Sequence, residues 1–81
     1  MEKRIGVVAV IVEDKESVDQ VNKLFSTYGE IIVGRMGIPY KEKQLSVISI
    51  IVDGTTDDIG GLTGKLGRLR GVTVKSALTQ K

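Results

Sequence analysis

Ile5-Gly6-Val7-Val8-Ala9-Val10-Ile11-Val12 is an eight-residue apolar run set between Met1-Glu2-Lys3-Arg4 and Glu13-Asp14-Lys15-Glu16. Val8, Val10 and Val12 alternate with Val7, Ala9 and Ile11, so neither face of the extended chain is polar. A β-branched run of this kind predicts a strand buried on both faces. It is too short to span a bilayer, and no small-residue cleavage site follows it. Working outward, Ser17 and Gln20 stand at capping-box spacing. Val18, Val21, Phe25 and Tyr28, with Leu24 beside them, recur at helical intervals until Gly29. Residues 31–38 predict a second strand loosened by Gly34 and Gly37, and Pro39 to Lys43 a hairpin turn. Leu45 to Val52 predicts a third strand that Asp53-Gly54 breaks. Thr55 with Asp58 caps a second helix carried by Ile59, Leu62, Leu66 and Leu69 and ended by Gly71. Val72, Val74 and Leu78 alternate with Thr73, Lys75 and Thr79 as a half-buried last strand does.

The element order is therefore βαββαβ. Right-handed crossovers turn it into an α+β, ferredoxin-like fold, a four-stranded antiparallel sheet with two helices on one face. The first and third strands are central in that topology, and both are apolar on two faces although the helices cover only one. The uncovered face is expected to be an interface.

Composition narrows the function. The chain has 81 residues, 41% hydrophobic and 27% charged, and reads as one domain over 1–81. Cys and His are both absent, which removes disulfides, thiolate and imidazole chemistry, and zinc, iron–sulfur or haem sites of the usual ligands. No cofactor is implied, and no enzyme activity is expected. A core this small without a staple favours association, so a homo-oligomer, a dimer or tetramer, is expected. A cytoplasmic location is expected. Net charge is +2, but all ten acids lie at or before Asp58, and Lys65, Arg68, Arg70, Lys75 and Lys81 follow with none. Lys65, Arg68, Arg70 and Lys75 are thus candidates for holding an acidic partner.

Other constellations are weighed on their residues. The central strands carry no aromatic for base stacking, and the loop after the first strand is acidic where an acyl-phosphate hydrolase needs a phosphate cradle. Neither direct nucleic-acid binding nor a membrane role is expected. Asp53, Asp57 and Asp58 with two threonines suggest a helix N-terminus more than an oxygen-donor metal site. Gly60, Gly64, Gly67 and Gly71, with Gly61, suggest close packing against the first helix or a neighbouring subunit. The most distinctive segment is Gly34-Arg35-Met36-Gly37-Ile38-Pro39-Tyr40. Gly34, Arg35, Gly37 and Tyr40 are the candidate ligand-binding residues, with Arg35 holding a carboxylate or phosphate.

That segment, together with Val52-Asp53-Gly54-Thr55-Thr56-Asp57, Gly64-Lys65-Leu66-Gly67-Arg68-Leu69 and Gly71-Val72 ahead of Val74-Lys75-Ser76-Ala77, resembles one small family. It is the regulator family associated with the iron-only hydrogenase system, an ACT-like family related to the ligand-binding half of the nickel-responsive repressor NikR. The resemblance implies an association with the hydrogenase system. With the uncovered apolar face, the reading is a non-enzymatic regulatory module that assembles through its sheet and senses a small-molecule effector or docks a hydrogenase-system protein. The alternative is a ligand-free interaction subunit that uses its basic C-terminal surface. NikR binds nickel through His and Cys, which this sequence lacks. Its DNA-binding arm has no counterpart ahead of a strand that starts by about Ile5. ACT domains typically bind amino acids beside a glycine in the loop after the first strand, and Glu13 to Glu16 contain none.

Overall fold

The computed structural model describes residues 2–79. The apolar run becomes β1 (Lys3–Val12), followed by α1 (Val18–Thr27), β2 (Ile32–Tyr40), β3 (Leu45–Thr55), α2 (Thr56–Gly67) and β4 (Val72–Leu78). The strands form one antiparallel sheet in the order β2-β3-β1-β4. This is the ferredoxin-like, ACT-like arrangement, with β1 and β3 in the middle.

One parity of each central strand makes the core. Val8, Val10 and Val12 of β1 and Ile48, Ile50 and Val52 of β3 are buried beneath Val21 and Phe25 of α1 and Ile59, Leu62 and Leu66 of α2. Each helix buries the stripe that its spacing predicts. Gly6 sits on the same inward parity because β4 runs too close for a side chain. A Cβ there would stand 2.6 Å from the Ala77 carbonyl oxygen.

Several boundaries differ from the sequence reading, each for a local reason. β3 does not break at Asp53-Gly54; it continues to Thr55, because β1 supplies partners in the pairs Arg4–Gly54 and Lys3–Thr55. Gly54 marks a close approach, since a Cβ would meet the Ile31 side chain at 2.8 Å. β2 takes in Pro39 and Tyr40, which an edge strand tolerates because one side of it needs no ladder donors. The turn is shorter, a 3₁₀ turn over Lys41–Lys43 and then Gln44 in the left-handed region at φ 56°. A register shift between Ile32 and Gly34 places a bulge at the start of β2.

The capping box at Ser17 does not form. Ser17 is buried, and its hydroxyl donates instead to the Arg70 carbonyl at 2.6 Å. Asp14 takes over as the cap, its carboxylate accepting from the Glu16 N–H at 2.9 Å at the head of a 3₁₀ turn over Lys15–Ser17. The cap at Thr55 does form, with its hydroxyl oxygen accepting from the Asp58 N–H at 3.0 Å. α2 ends at Gly67 and not at Gly71. Gly71 lies beyond it at φ 70°, in the turn that leads to β4.

Candidate functional site

The parity of β1 and β3 that does not face the helices has no cover among the described residues. Register aligns its side chains in rows across the sheet. One row is Ile38, Val47, Ile11 and Thr73. The next is Met36, Ser49, Ala9 and Lys75, and the third is Gly34, Ile51, Val7 and Ala77. Tyr40 and Leu45 extend the face at one end and Ile5 at the other. Met36 is 67% exposed, Ile38 55%, Ile5 53% and Ile51 46%, with Val7, Val47 and Tyr40 little less. Among these positions polar groups are Ser49, the Tyr40 phenol and, on β4, Thr73 and Lys75, and Asp53 stands beside Ile5 at that end of the face. The patch is therefore mainly apolar across β2, β3 and β1, and polar toward β4 and at Asp53.

The four residues expected to bind a ligand do not converge. Arg35 pairs with Ile50 and Gly37 with Ile48, which places both on the helix side of the sheet. Gly34 pairs with Ile51 and Tyr40 with Leu45, on the open side. Arg35 lies over the Phe25 ring, its guanidinium carbon 4.8 Å from the centroid, and donates to the Asn22 side-chain oxygen at 3.4 Å. It thus clips the edge strand to α1, using the planar stacking that a guanidinium allows.

Tyr40 belongs to a different place. A cleft of about 450 Å³ opens between the end of β1, the start of α1 and the β2–β3 hairpin. It is lined by Val12, Lys15, Val18, Pro39, Tyr40, Lys41, Gln44, Leu45 and Ser46. The sequence reading missed Lys15, Lys41, Gln44 and Ser46. The antiparallel pairing of Val12 with Ser46 and of Tyr40 with Leu45 brings them together, and spacing along the chain carries no trace of it. The loop after β1 is not the acidic wall that its composition suggests. Only Lys15 of that loop lines the cleft, whereas Asp14 turns away to Arg70, 3.4 Å from its Nε.

The basic candidates also divide. Lys65 sits over the Tyr28 ring with its Nζ 5.2 Å from the centroid, Arg68 is exposed just past α2, and Arg70 holds Asp14. Lys75 is paired with Ala9 on the open face of the sheet, away from the other three. The carboxylates separate as well, since Asp53 lies within β3 whereas Asp57 and Asp58 form the first turn of α2. Among the described residues no group of three carboxylates is placed to hold a metal. Of the four glycines in α2, Gly61 alone meets a neighbouring side chain, a Cβ there lying 2.9 Å from the hydroxyl of Tyr28 at the end of α1. Gly60, Gly64 and Gly67 face open space, so the stripe does not pack against the first helix. Among the described residues no helix is long and apolar enough to cross a membrane.

The family model "TM1266-like: Iron-only hydrogenase system regulator, putative" matches residues 4–76. The chain belongs to this TM1266-like family. The structure of the uncharacterized protein TM1266 from Thermotoga maritima is 34% identical, superposes with a TM-score of 0.93, and is matched over 98% of this chain and 100% of that one. More distant structures share the fold alone. A glycine cleavage system transcriptional repressor is 14% identical with a TM-score of 0.70, over 98% of this chain and 47% of that one. CPII, a nitrogen regulatory PII-like protein from Thiomonas intermedia K12 bound to ADP, AMP and bicarbonate, is 14% identical with a TM-score of 0.55, over 98% and 99%. No functionally curated protein matches the sequence.

Proposed function

We propose that this TM1266-like chain is a non-enzymatic regulatory module of the iron-only hydrogenase system, one that pairs with a second copy through the open face of its sheet and responds to a small effector. The open apolar face carries this reading. Ten residues of strand at about 3.3 Å each, across four strands about 4.8 Å apart, give a footprint of about 600 Å² per copy. That is somewhat below the ~800 Å² per partner of a standard specific interface, so nearly the whole face must be used. At ~25 cal/mol per Å² of apolar surface, two such patches contribute ~30 kcal/mol if wholly apolar and roughly half that once part of the area is discounted as polar. The cost of association, about 4–15 kcal/mol or more in lost rigid-body freedom, together with side-chain ordering, offsets much of it. Effector sensing is supported by the family's description as a regulator and by a fold that holds nucleotides and bicarbonate in CPII.

Light scattering on the eluting protein tests the pairing. At micromolar concentration the chain is expected to run at twice its 8.8 kDa mass or more. Ile51→Lys, in the middle of the face and outside the core, is expected to give a folded monomer. A wild-type chain that stays monomeric, or an unchanged assembly in the variant, would sink the proposal.

One observation favours a second reading, in which the basic surface docks an acidic hydrogenase-system protein. A groove of about 400 Å³ runs between the helices, lined by Gln20, Lys23, Leu24, Lys65 and Leu69. Its surface is almost wholly apolar, with Lys23 and Lys65 among the residues of its walls. A chain that remains monomeric and is stabilised only by an acidic protein would establish that reading instead.

A further inference from the structure

We propose that the cleft at the hairpin end is the effector site, and that it takes a small organic anion with an apolar body, held by Lys15 and Lys41. This rests on the effector-sensing part of the function proposed above and gives it a place and a ligand chemistry.

The cleft has the size and the chemistry of a small-molecule site. About 450 Å³ falls within the range of pockets that enclose a metabolite. Val12, Val18, Pro39 and Leu45 supply apolar lining, and Tyr40, Gln44 and Ser46 add a phenol, an amide and a hydroxyl. Lys15 and Lys41 supply two positive charges from two separate elements. No carboxylate lines the cleft; Glu13, Asp14, Glu16 and Glu42, all close in sequence, stay outside it. Two lysines in the lining of one cavity, with no carboxylate beside them in that lining, favour an anion. Arg35 is already engaged with Phe25 and Asn22, which leaves the lysines as the donors for it.

Gln44 adds an independent observation. It is the one non-glycine residue at positive φ among the described residues, in a position where glycine would relax the backbone. The side chain held there lines the cleft. The left-handed conformation closes the 3₁₀ turn of the hairpin, and a glutamine there in place of a glycine sets an amide at the cleft wall.

The test is an amide NMR titration of the full chain with phenyl phosphate, phenylacetate, benzylamine and inorganic phosphate. At least one of the two aromatic anions is expected to give saturable shifts centred on Lys15, Lys41, Gln44 and Ser46, and the tighter of the two names the anion. Benzylamine is expected to give none, and inorganic phosphate to bind more weakly than the tighter aromatic anion because it leaves the apolar lining empty. Lys15→Gln with Lys41→Gln is expected to keep the fold and weaken that anion by about tenfold or more, as the loss of two charge-assisted contacts implies. Arg35→Ala is expected to leave affinity unchanged. Gln44→Gly is expected to raise the thermal midpoint by roughly 2–5 °C while weakening the ligand. The proposal is overturned by shifts that never saturate or that centre on the open sheet face. It is equally overturned by equal binding of benzylamine, by unaltered affinity or unfolding in the double lysine variant, or by control through Arg35. Because assembly is read by mass and this site by titration, either half of the account can fail while the other stands.

Discussion

Gly71 and Asp14 meet where the loop after β1 crosses the turn before β4. The Glu13 N–H donates to the Gly71 carbonyl at 2.7 Å, and the buried Ser17 hydroxyl donates to the neighbouring Arg70 carbonyl. A side chain at position 71 would press against Asp14, with its Cβ 2.7 Å and its backbone nitrogen 2.9 Å away, on a backbone already at φ 70°. Gly71→Ala is therefore expected to cost about 2 kcal/mol or more in urea unfolding. A variant as stable as the wild type would show that this crossing is not a structural lock. The ion pair there matters less, because the Arg70 side chain is 88% exposed and solvent screens it. Sequence spacing gives Gly71 the role of a helix stop. Its actual role depends on a loop about sixty positions upstream, which no local pattern reports.

At the scale of elements, the periodicities were enough to identify all four strands and both helices, since buried parity and buried stripe follow directly from 2.0 and 3.6 residue repeats. The ends were harder to read, because partners set them. β3 runs through Asp53-Gly54 for as long as β1 lies beside it, and Ser17 abandons its own helix for the Arg70 carbonyl. The candidate site was legible only in part. Tyr40 lines the cleft, but Lys15 and Lys41 reach it through strand pairing, and the bulge near Gly34 moves Arg35 onto the helix side. α2 carries a prediction of its own. Gly64 has helical backbone and nothing within 4 Å of a Cβ. Gly64→Ala is expected to stabilise the chain by about 0.5–1 kcal/mol, as relief of helix propensity implies. Destabilisation, measured as a lower urea midpoint, would mean that another backbone packs on this face.

At the scale of the whole molecule, one sheet serves two environments. Its inner parity is sealed by α1 and α2, and its outer parity presents Val7, Met36, Ile38, Val47 and Ile51 to solvent. The TM1266-like family is described as a regulator of the iron-only hydrogenase system, and the physical form proposed for that part in this chain is a pair of copies joined sheet to sheet. Isotope-filtered NOE spectroscopy on a mixture of labelled and unlabelled chains tests this most directly, because it records only contacts between copies. Contacts among the methyl groups of Val7, Ile38, Val47 and Ile51 are the result predicted. Contacts confined to α1 and α2, or none at all at near-millimolar concentration, would contradict it.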